Sequence, residues 1–353
     1  MLRLSELKLP LDHSEADLAA AVLRRLRLAP DQLLGLRLVK RSVDARKSAA
    51  ITLVYSLDLD LDLDARAEAR LLKRFAGDPH LRPSPDTTYH PVVSGANAGK
   101  LRPVVVGAGP CGYFAALLLA QMGFRPLLLE RGKAVKERSA DTFGFWKGSA
   151  DFNPESNAQF GEGGAGTFSD GKLYSQVSEA KPYVRKVLEE LVAAGANPDI
   201  LTLHHPHIGT YKLATVVRGL RQRIEALGGE VRFECRVDGL ELNPVDRSIQ
   251  GLQLDSGERI AATQVVLALG HSARDSFEML KTAGVAMQPK PFAVGLRIEH
   301  PQSLIDRARW GQAAGHPSTP CRRRHRDLPR PAADGPGALP ARRGARPSGG
   351  RSR

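Results

Sequence analysis

Cysteine is scarce in this chain. Cys111, Cys235 and Cys321 are all there is in 353 residues, and no two form a C-x-x-C pair. That excludes a disulfide framework, a four-ligand zinc site and a dithiol electron shuttle, and it points to a reducing, cytoplasmic compartment. No secretory leader is expected either, since residues 1–20 carry charges throughout and hold no apolar core. One apolar stretch, residues 104–129, is long enough to suggest a membrane span. Its glycines and Pro126 argue instead for strand, tight turn, helix and strand, so no membrane association is expected. What is present is ordinary: 42% hydrophobic and 25% charged residues. A disordered or collagenous chain is excluded, and at about 150 residues per domain there is room for two domains.

The net charge of +13 looks at first like a nucleic-acid or membrane-surface signal. It is concentrated at one end. Residues 317–353 hold ten arginines against Asp327 and Asp334, a net +8, which leaves +5 for the rest. This tail has no Val, Ile, Phe, Tyr, Trp, Met, Lys, Glu, Asn or Gln. Such a composition cannot bury enough apolar surface to fold, and a disordered tail is expected.

Residues 1–76 read as a small α/β unit. Ser14-Glu15-Ala16-Asp17 is a capping signature ahead of Leu18, Val22, Leu23 and Leu26, which recur at helical spacing. Strands follow at residues 34–43 and 50–63, and a helix at 65–75. In the second strand leucines alternate with Asp58, Asp60 and Asp62. The aspartate row is expected to be a solvated face rather than a calcium ligand set, because no glycine-turned loop with a terminal Glu accompanies it. Residues 77–100 are rich in Pro, Gly, Asn, Asp and Thr and read as a linker.

The chemistry begins after the linker. Residues 103–106 form a short apolar strand, followed by Gly107-Ala108-Gly109-Pro110-Cys111-Gly112, a helical run over 113–122, and a second strand over 126–129 that ends at Glu130. Each part meets a need of dinucleotide binding. Gly107 permits the tight turn, Gly109 lets the backbone approach a pyrophosphate, and Gly112 lets the helix pack on the strand, as does the small Ala116 one turn further on. The helix N-terminus offers free N–H groups and the positive end of its dipole. Glu130 stands where a carboxylate accepts hydrogen bonds from ribose hydroxyls, with 17 residues between it and Gly112.

A second glycine-rich stretch, residues 157–173, contains two decoys. Gly161 to Gly166 repeats the G-x-G-x-x-G pattern, and Gly166 to Lys172 spells the first seven positions of a P-loop. No apolar strand precedes either, and Leu173 stands where a P-loop needs the Ser or Thr hydroxyl that holds Mg²⁺. The stretch reads either as a long flexible loop whose backbone N–H donors wrap a large polar ligand, or as a cluster of turns near the site. Helices are expected at 180–194 and 212–227, and strands at 230–233, 238–242, 249–254 and 264–267. The strand block after a helical excursion supports FAD over NAD alone, because a long bipartite ligand draws contacts from several returning segments. His204, His205 and His207 lack carboxylate or cysteine partners at ligand spacing, so no metal is expected. His271, Arg274, Arg297, Glu299 and His300 adjoin the expected pocket. No residue can be assigned a catalytic role.

Taken together, GAGPCGYFAALLLAQMGFRPLLLERG, NAQFGEGGAGTFSDGKL, HPHIGTYKL, LALGHSARDSFEML, PFAVGLRIEHPQ and the N-terminal RSVDARKSAAITLVYSLDL resemble the uncharacterised FAD-dependent (NAD(FAD)-utilising) dehydrogenase family over residues 1–315. The resemblance implies an α/β fold: a small N-terminal α/β domain (1–76), a linker (77–100), a Rossmann-like, glutathione-reductase-like FAD domain (101–275), and an incomplete substrate domain (276–316). It implies that Gly107, Ala108, Gly109, Gly112 and Glu130 bind the ADP half of FAD. Gly163, Gly164 and Thr167 would lie by the flavin ring or pyrophosphate, Val237 would meet the adenine through its backbone, and Gly270 would line the pyrophosphate. The activity implied is FAD-dependent hydride transfer with a small-molecule substrate and NAD(P)H as a conceivable electron donor. Family members continue past RIEHPQ into a substrate-facing part and a flavin-closing glycine segment, so the tail from 317 reads as a frameshifted or truncated frame. Its rival is a basic tail that binds nucleic acid, for which no stacking aromatic is present. The other readings left open are a simple NAD(P)-binding dehydrogenase, an RNA-associated or non-catalytic flavoprotein, and an inactive truncated product.

Overall fold

The computed structural model describes residues 1–47, 50–91, 101–174, 182–291, 294–296 and 298–319. Arg297, Cys321 and nearly all of the basic tail lie outside the described residues.

The N-terminal unit runs β1 (Leu2–Pro10), α1 (Glu15–Leu26), β2 (Leu33–Asp44), β3 (Thr52–Leu61), α2 (Ala65–Arg74) and β4 (Leu81–Pro83). The strands pair antiparallel in the order β2-β3-β1-β4, a split βαβ arrangement. Both helices start where their caps dictate. Ser14 and Asp17 form a reciprocal capping box on α1, and the Asp64 side chain accepts from the Ala67 amide at the start of α2. Leu2, Leu4, Leu7 and Leu9 of β1 and Leu53, Tyr55, Leu57 and Leu59 of β3 bury against Val22, Leu26 and Leu71 of the helices.

Strand β1 goes unrecognised in the sequence because its leucines step by two, then three, then two. The odd step is a bulge: the register shifts between Leu4 and Leu7, and Glu6 there adopts φ 56°. The expected linker also supplies a strand, β4. The aspartate row departs from expectation at one position. Asp60 and Asp62 are exposed, but Asp58 is buried on the far face of the sheet, held by Arg3 Nε at 2.7 Å, by Arg37 and by the Ser84 hydroxyl at 2.8 Å.

The second unit is a Rossmann-like α/β body. Its parallel sheet has the order β11-β5-β6-β7, from β5 (Val104–Val106), β6 (Leu127–Leu129), β7 (Glu230–Arg232) and β11 (Val265–Leu267). Alternation sends side chains to both faces. Val105 and Leu128 pack under α3 (Pro110–Gln121), α5 (Pro182–Ala193) and α6 (Thr210–Ala226). Val104, Val106, Leu127 and Leu129 pack on an antiparallel meander of β8 (Val237–Leu242), β9 (Ile249–Leu254) and β10 (Arg259–Ala261). The chain then forms α7 (Arg274–Thr282) and α8 (Gln302–Trp310); α4 (Val135–Trp146) lies between β6 and α5. The two units meet along edge strand β2, where the Arg41 amide donates to the Thr202 carbonyl and the His204 amide to the Arg41 carbonyl, at 2.7 and 3.0 Å.

Candidate functional site

The parallel sheet reverses its order of strand addition at β5: β6 and β7 follow on one side and β11 returns on the other. Ligands of open α/β sheets bind at such a switch point, beyond the C-terminal ends of the strands. Three segments end there. Gly107 to Gly112 leaves β5, Glu130 leaves β6, and Ala268 to Gly270 leaves β11.

The glycines are required by close backbone approach. A Cβ on Gly107, at φ +102°, would sit 2.5 Å from the Ala268 carbonyl oxygen. One on Gly112 would sit 1.7 Å from the Gly107 carbonyl oxygen. Gly109 is different: it is the N-cap of α3 in extended conformation, and a Cβ there would meet only the Gly164 Cα, at 3.9 Å. Pro110 opens the helix without an amide to leave unpaired, and the following first-turn amides have no acceptor within the helix. Small residues thus keep the positive end of α3 approachable.

Glu130 ties the site together. Its Oε2 accepts from the Ala108 amide at 2.7 Å, and its Oε1 from the Gly132 and Gly161 amides at 2.9 and 2.8 Å. A carboxylate offers about four lone-pair sites, so one remains, on Oε2. Its backbone carbonyl takes the Cys235 amide at 2.9 Å, which anchors the entry to Val237 at the first position of β8. Val237 is buried in the sheet–meander core and pairs with Leu254. Gly270 is exposed at φ +71° with open space where a Cβ would project.

The second glycine-rich stretch packs against the first but is not a flexible cradle of free donors. The Gly161 amide goes to Glu130, Glu162 to the Lys133 carbonyl, Gly163 to the Ala108 carbonyl, and Gly164 to the Gly161 carbonyl. Gly164 to Phe168 is a 3₁₀ turn, and the buried Thr167 hydroxyl donates to the Glu162 carbonyl at 2.9 Å. Of the two readings of this stretch, the turn cluster describes it.

Beneath lies a charged layer that the sequence did not single out. Glu162, fully buried, accepts from the Tyr113 hydroxyl of α3 at 2.8 Å and from the Val135 amide of α4 at 2.6 Å, and pairs with Arg221 of α6 at 3.1 Å. Burial pushes the Tyr113 phenol well up, and the charge on Glu162 adds to it. Arg138, also fully buried, donates to the carbonyls of Asn157, Gly161 and Glu162. Burial pulls its guanidinium down to about 10 against the pull of Glu130 and Glu162. Its Nη2 has no hydrogen-bond partner among the described residues. Arg131 grips Glu155 and Asp275 with both faces of its fork and lies 4.2 Å over the Phe160 ring. Two sequence signals for this layer were a Glu inside a glycine run and an Arg directly after the strand-ending acid. His271, Arg274, Glu299 and His300 are exposed, and none belongs to the layer.

Comparison with known proteins gives matches to both parts of the chain. The family described as FAD dependent oxidoreductase matches residues 176–311, and one described as Domain of unknown function (DUF8436) matches residues 1–60. An uncharacterized protein of Clostridium beijerinckii is 38% identical over 316 residues, covering 90% of this chain and 57% of that one. Protein FixC of Escherichia coli O157:H7 is 26% identical over 227 residues, 58% of this chain and 44% of its own. Among solved structures, that of Thermovibrio ammonificans THI4 is similar at 18% identity and a TM-score of 0.36, over 53% of this chain and 64% of that one. The chain therefore spans about half the length of the curated relatives it matches, and across residues 176–311 it carries the match to the FAD dependent oxidoreductase family.

Proposed function

We propose that the protein is an FAD-dependent oxidoreductase whose cofactor lies across the C-terminal ends of β5, β6 and β11. One observation carries this reading: the fold sets the glycine-capped N-terminus of α3 beside Glu130, which keeps one acceptor site unspent. The match of residues 176–311 to FAD dependent oxidoreductases supports it.

The donor set fits the ADP half of FAD. First-turn amides of α3 would face the pyrophosphate past Gly109, and the remaining site on Glu130 Oε2 would accept one ribose hydroxyl. The backbone at Val237 would border the adenine, and Gly270 the pyrophosphate. Gly163, Gly164 and Thr167 hold their own turn and the Gly109 approach, so their part is to position rather than to donate. When bound, FAD supplies hydride acceptance and donation at its ring, while the protein binds, orients and shields it.

The test is direct. Purified protein is expected to be yellow and, on denaturation, to release FAD identified by chromatography. Release of NAD(P) alone, or failure to retain added FAD through gel filtration, would overturn the reading.

A further inference from the structure

The helical layer of the N-terminal unit carries a basic face with nothing to balance it. On α2, Arg66, Arg70, Lys73 and Arg74 follow one another at steps of four, three and one residues, which sets them within about 100° of the helix circumference. All four are exposed, and so are Arg24 and Arg27 at the end of α1. Arg25 joins the two helices: it pairs with Asp78 just past α2, and its guanidinium lies 5.6 Å over the Phe75 ring at the α2 C-cap. The last turn of α1 therefore abuts the last turn of α2. The six cations share the outer side of one layer, away from the leucine face that both helices cover.

Elsewhere in the unit, basic side chains are spent on carboxylates. Arg3 and Arg37 hold Asp58, Lys8 and Arg46 hold Asp44, and Arg25 holds Asp78. None of the six outer cations has an ion pair or a side-chain hydrogen bond among the described residues. The carboxylates of the two helices stand apart from them: Glu15 and Asp17 lie in the first turn of α1, at its opposite end, and Glu68 is half-buried. Stability does not explain the arrangement. Arg66 lies in the first turn of α2, at the positive end of its dipole, and the pairs Arg66/Arg70 and Arg70/Arg74 repel across one helical turn.

We propose that this face binds the phosphate backbone of a nucleic-acid duplex, without regard to base sequence. A duplex presents one negative charge per about 1.7 Å of its axis, and unpaired arginines and lysines bind it by displacing its counterions. What the face lacks selects this partner over others. No large apolar side chain is exposed on α1 or α2, whereas a protein partner needs an apolar or aromatic anchor and a membrane surface an inserting one. No exposed aromatic stands among the cations to stack the bases of a single strand, since Phe75 is half-buried under Arg25. The face belongs to the N-terminal unit alone, so it stands or falls independently of the cofactor reading.

Fluorescence anisotropy of short labelled duplexes, one of RNA and one of DNA, titrated with the full-length protein across a range of salt concentrations tests this. A Kd between about 1 and 100 µM is expected at physiological salt. In the Arg66→Gln/Arg70→Gln/Lys73→Gln/Arg74→Gln variant, the slope of log Kd against log salt on DNA should fall by about 3–4, close to one per charge removed, and binding should weaken at least about tenfold. The basic tail is common to both proteins, so their difference reports α2. The charge-keeping Arg66→Lys/Arg70→Lys/Arg74→Lys variant should retain the parental slope. Because the glutamine variant removes repelling pairs, it should melt no lower than the parent. The duplex bound more tightly identifies the source as RNA or DNA. Equal slopes for the parent and the glutamine variant, a lost slope in the lysine variant, a glutamine variant that melts lower, or binding to phosphatidylserine vesicles but to neither duplex would each overturn the proposal.

Discussion

Gly112 and Gly109 lie three residues apart in one turn, yet they answer to different constraints. At Gly112 an added methyl group would run into the Gly107 carbonyl oxygen, a backbone atom that cannot swing aside. Gly112→Ala is therefore expected to lower stability by about 1–3 kcal/mol, read from the urea midpoint at constant m-value. At Gly109 the backbone is extended and the space open, so Gly109→Ala should leave the urea midpoint within about 0.5 kcal/mol of the parent. Its methyl would stand at the mouth of α3, and the same variant is expected to retain less FAD. A Gly109→Ala protein with parental FAD content would count against the site. Asp58 supplies a prediction in pH. Burial pushes its carboxyl up, but hydrogen bonds from Arg3, Arg37 and Ser84 outweigh that and leave it at about 2. A carboxylate lowered by folding stabilises the native state above its unfolded value, and that contribution fades as pH falls from about 4 to about 2. Urea midpoints across that range should drop in the parent and drop less in Asp58→Asn.

Among the elements, the glycine layer owes its placement to Glu162, which binds α3 through Tyr113, α4 through the Val135 amide and α6 through Arg221. Removing one partner of a buried charge network is costly, because the other charge is left unpaired. Glu162→Leu is expected to destabilise the protein by about 3 kcal/mol, the lower end of the range, since Arg221 remains partly open to water. Thermal or urea unfolding would show it, and a loss below about 1 kcal/mol would mean that the layer is held by its backbone bonds alone. The same scale explains what sequence reasoning found and missed. Strand, glycine turn, helix, strand and acid follow one another within residues 103–130, and each is marked by its own residues. Strand β1 was hidden because a bulge at Glu6 puts its two leucine pairs out of phase, so neither a strict two-residue nor a helical period fits the whole. Glu162 and Arg138 were hidden for another reason: a charged residue in a polar, glycine-rich stretch looks like surface until the fold supplies its partners.

For the whole molecule, the N-terminal unit closes its own core, since every residue buried with β1 and β3 comes from residues 2–81. Residues 1–84 expressed alone are expected to unfold cooperatively in urea, having lost polar contacts such as those of Arg41 with Thr202 and His204 and of Asp12 with His316 but none of this core. A non-cooperative profile would show that the unit depends on the Rossmann-like body. That body buries its sheet between helices and the meander, while β11 at its edge leaves Val266 and Leu267 36% and 40% exposed. The chain covers 57% of its Clostridium relative, so the substrate and the partners of the complete activity belong to the proposal rather than to the described fold.

By itself the sequence determined the turn, the helix it opens and the acid that follows, because backbone sterics, capping and strand alternation act over a few residues and leave their marks locally. The tertiary structure alone decided which groups share the oxygens of Glu130, that the second glycine stretch spends its amides internally, and that Asp58, Arg138 and Glu162 are buried. Those outcomes depend on contacts between residues distant in the chain, where burial turns an ordinary charged side chain into one that must find partners.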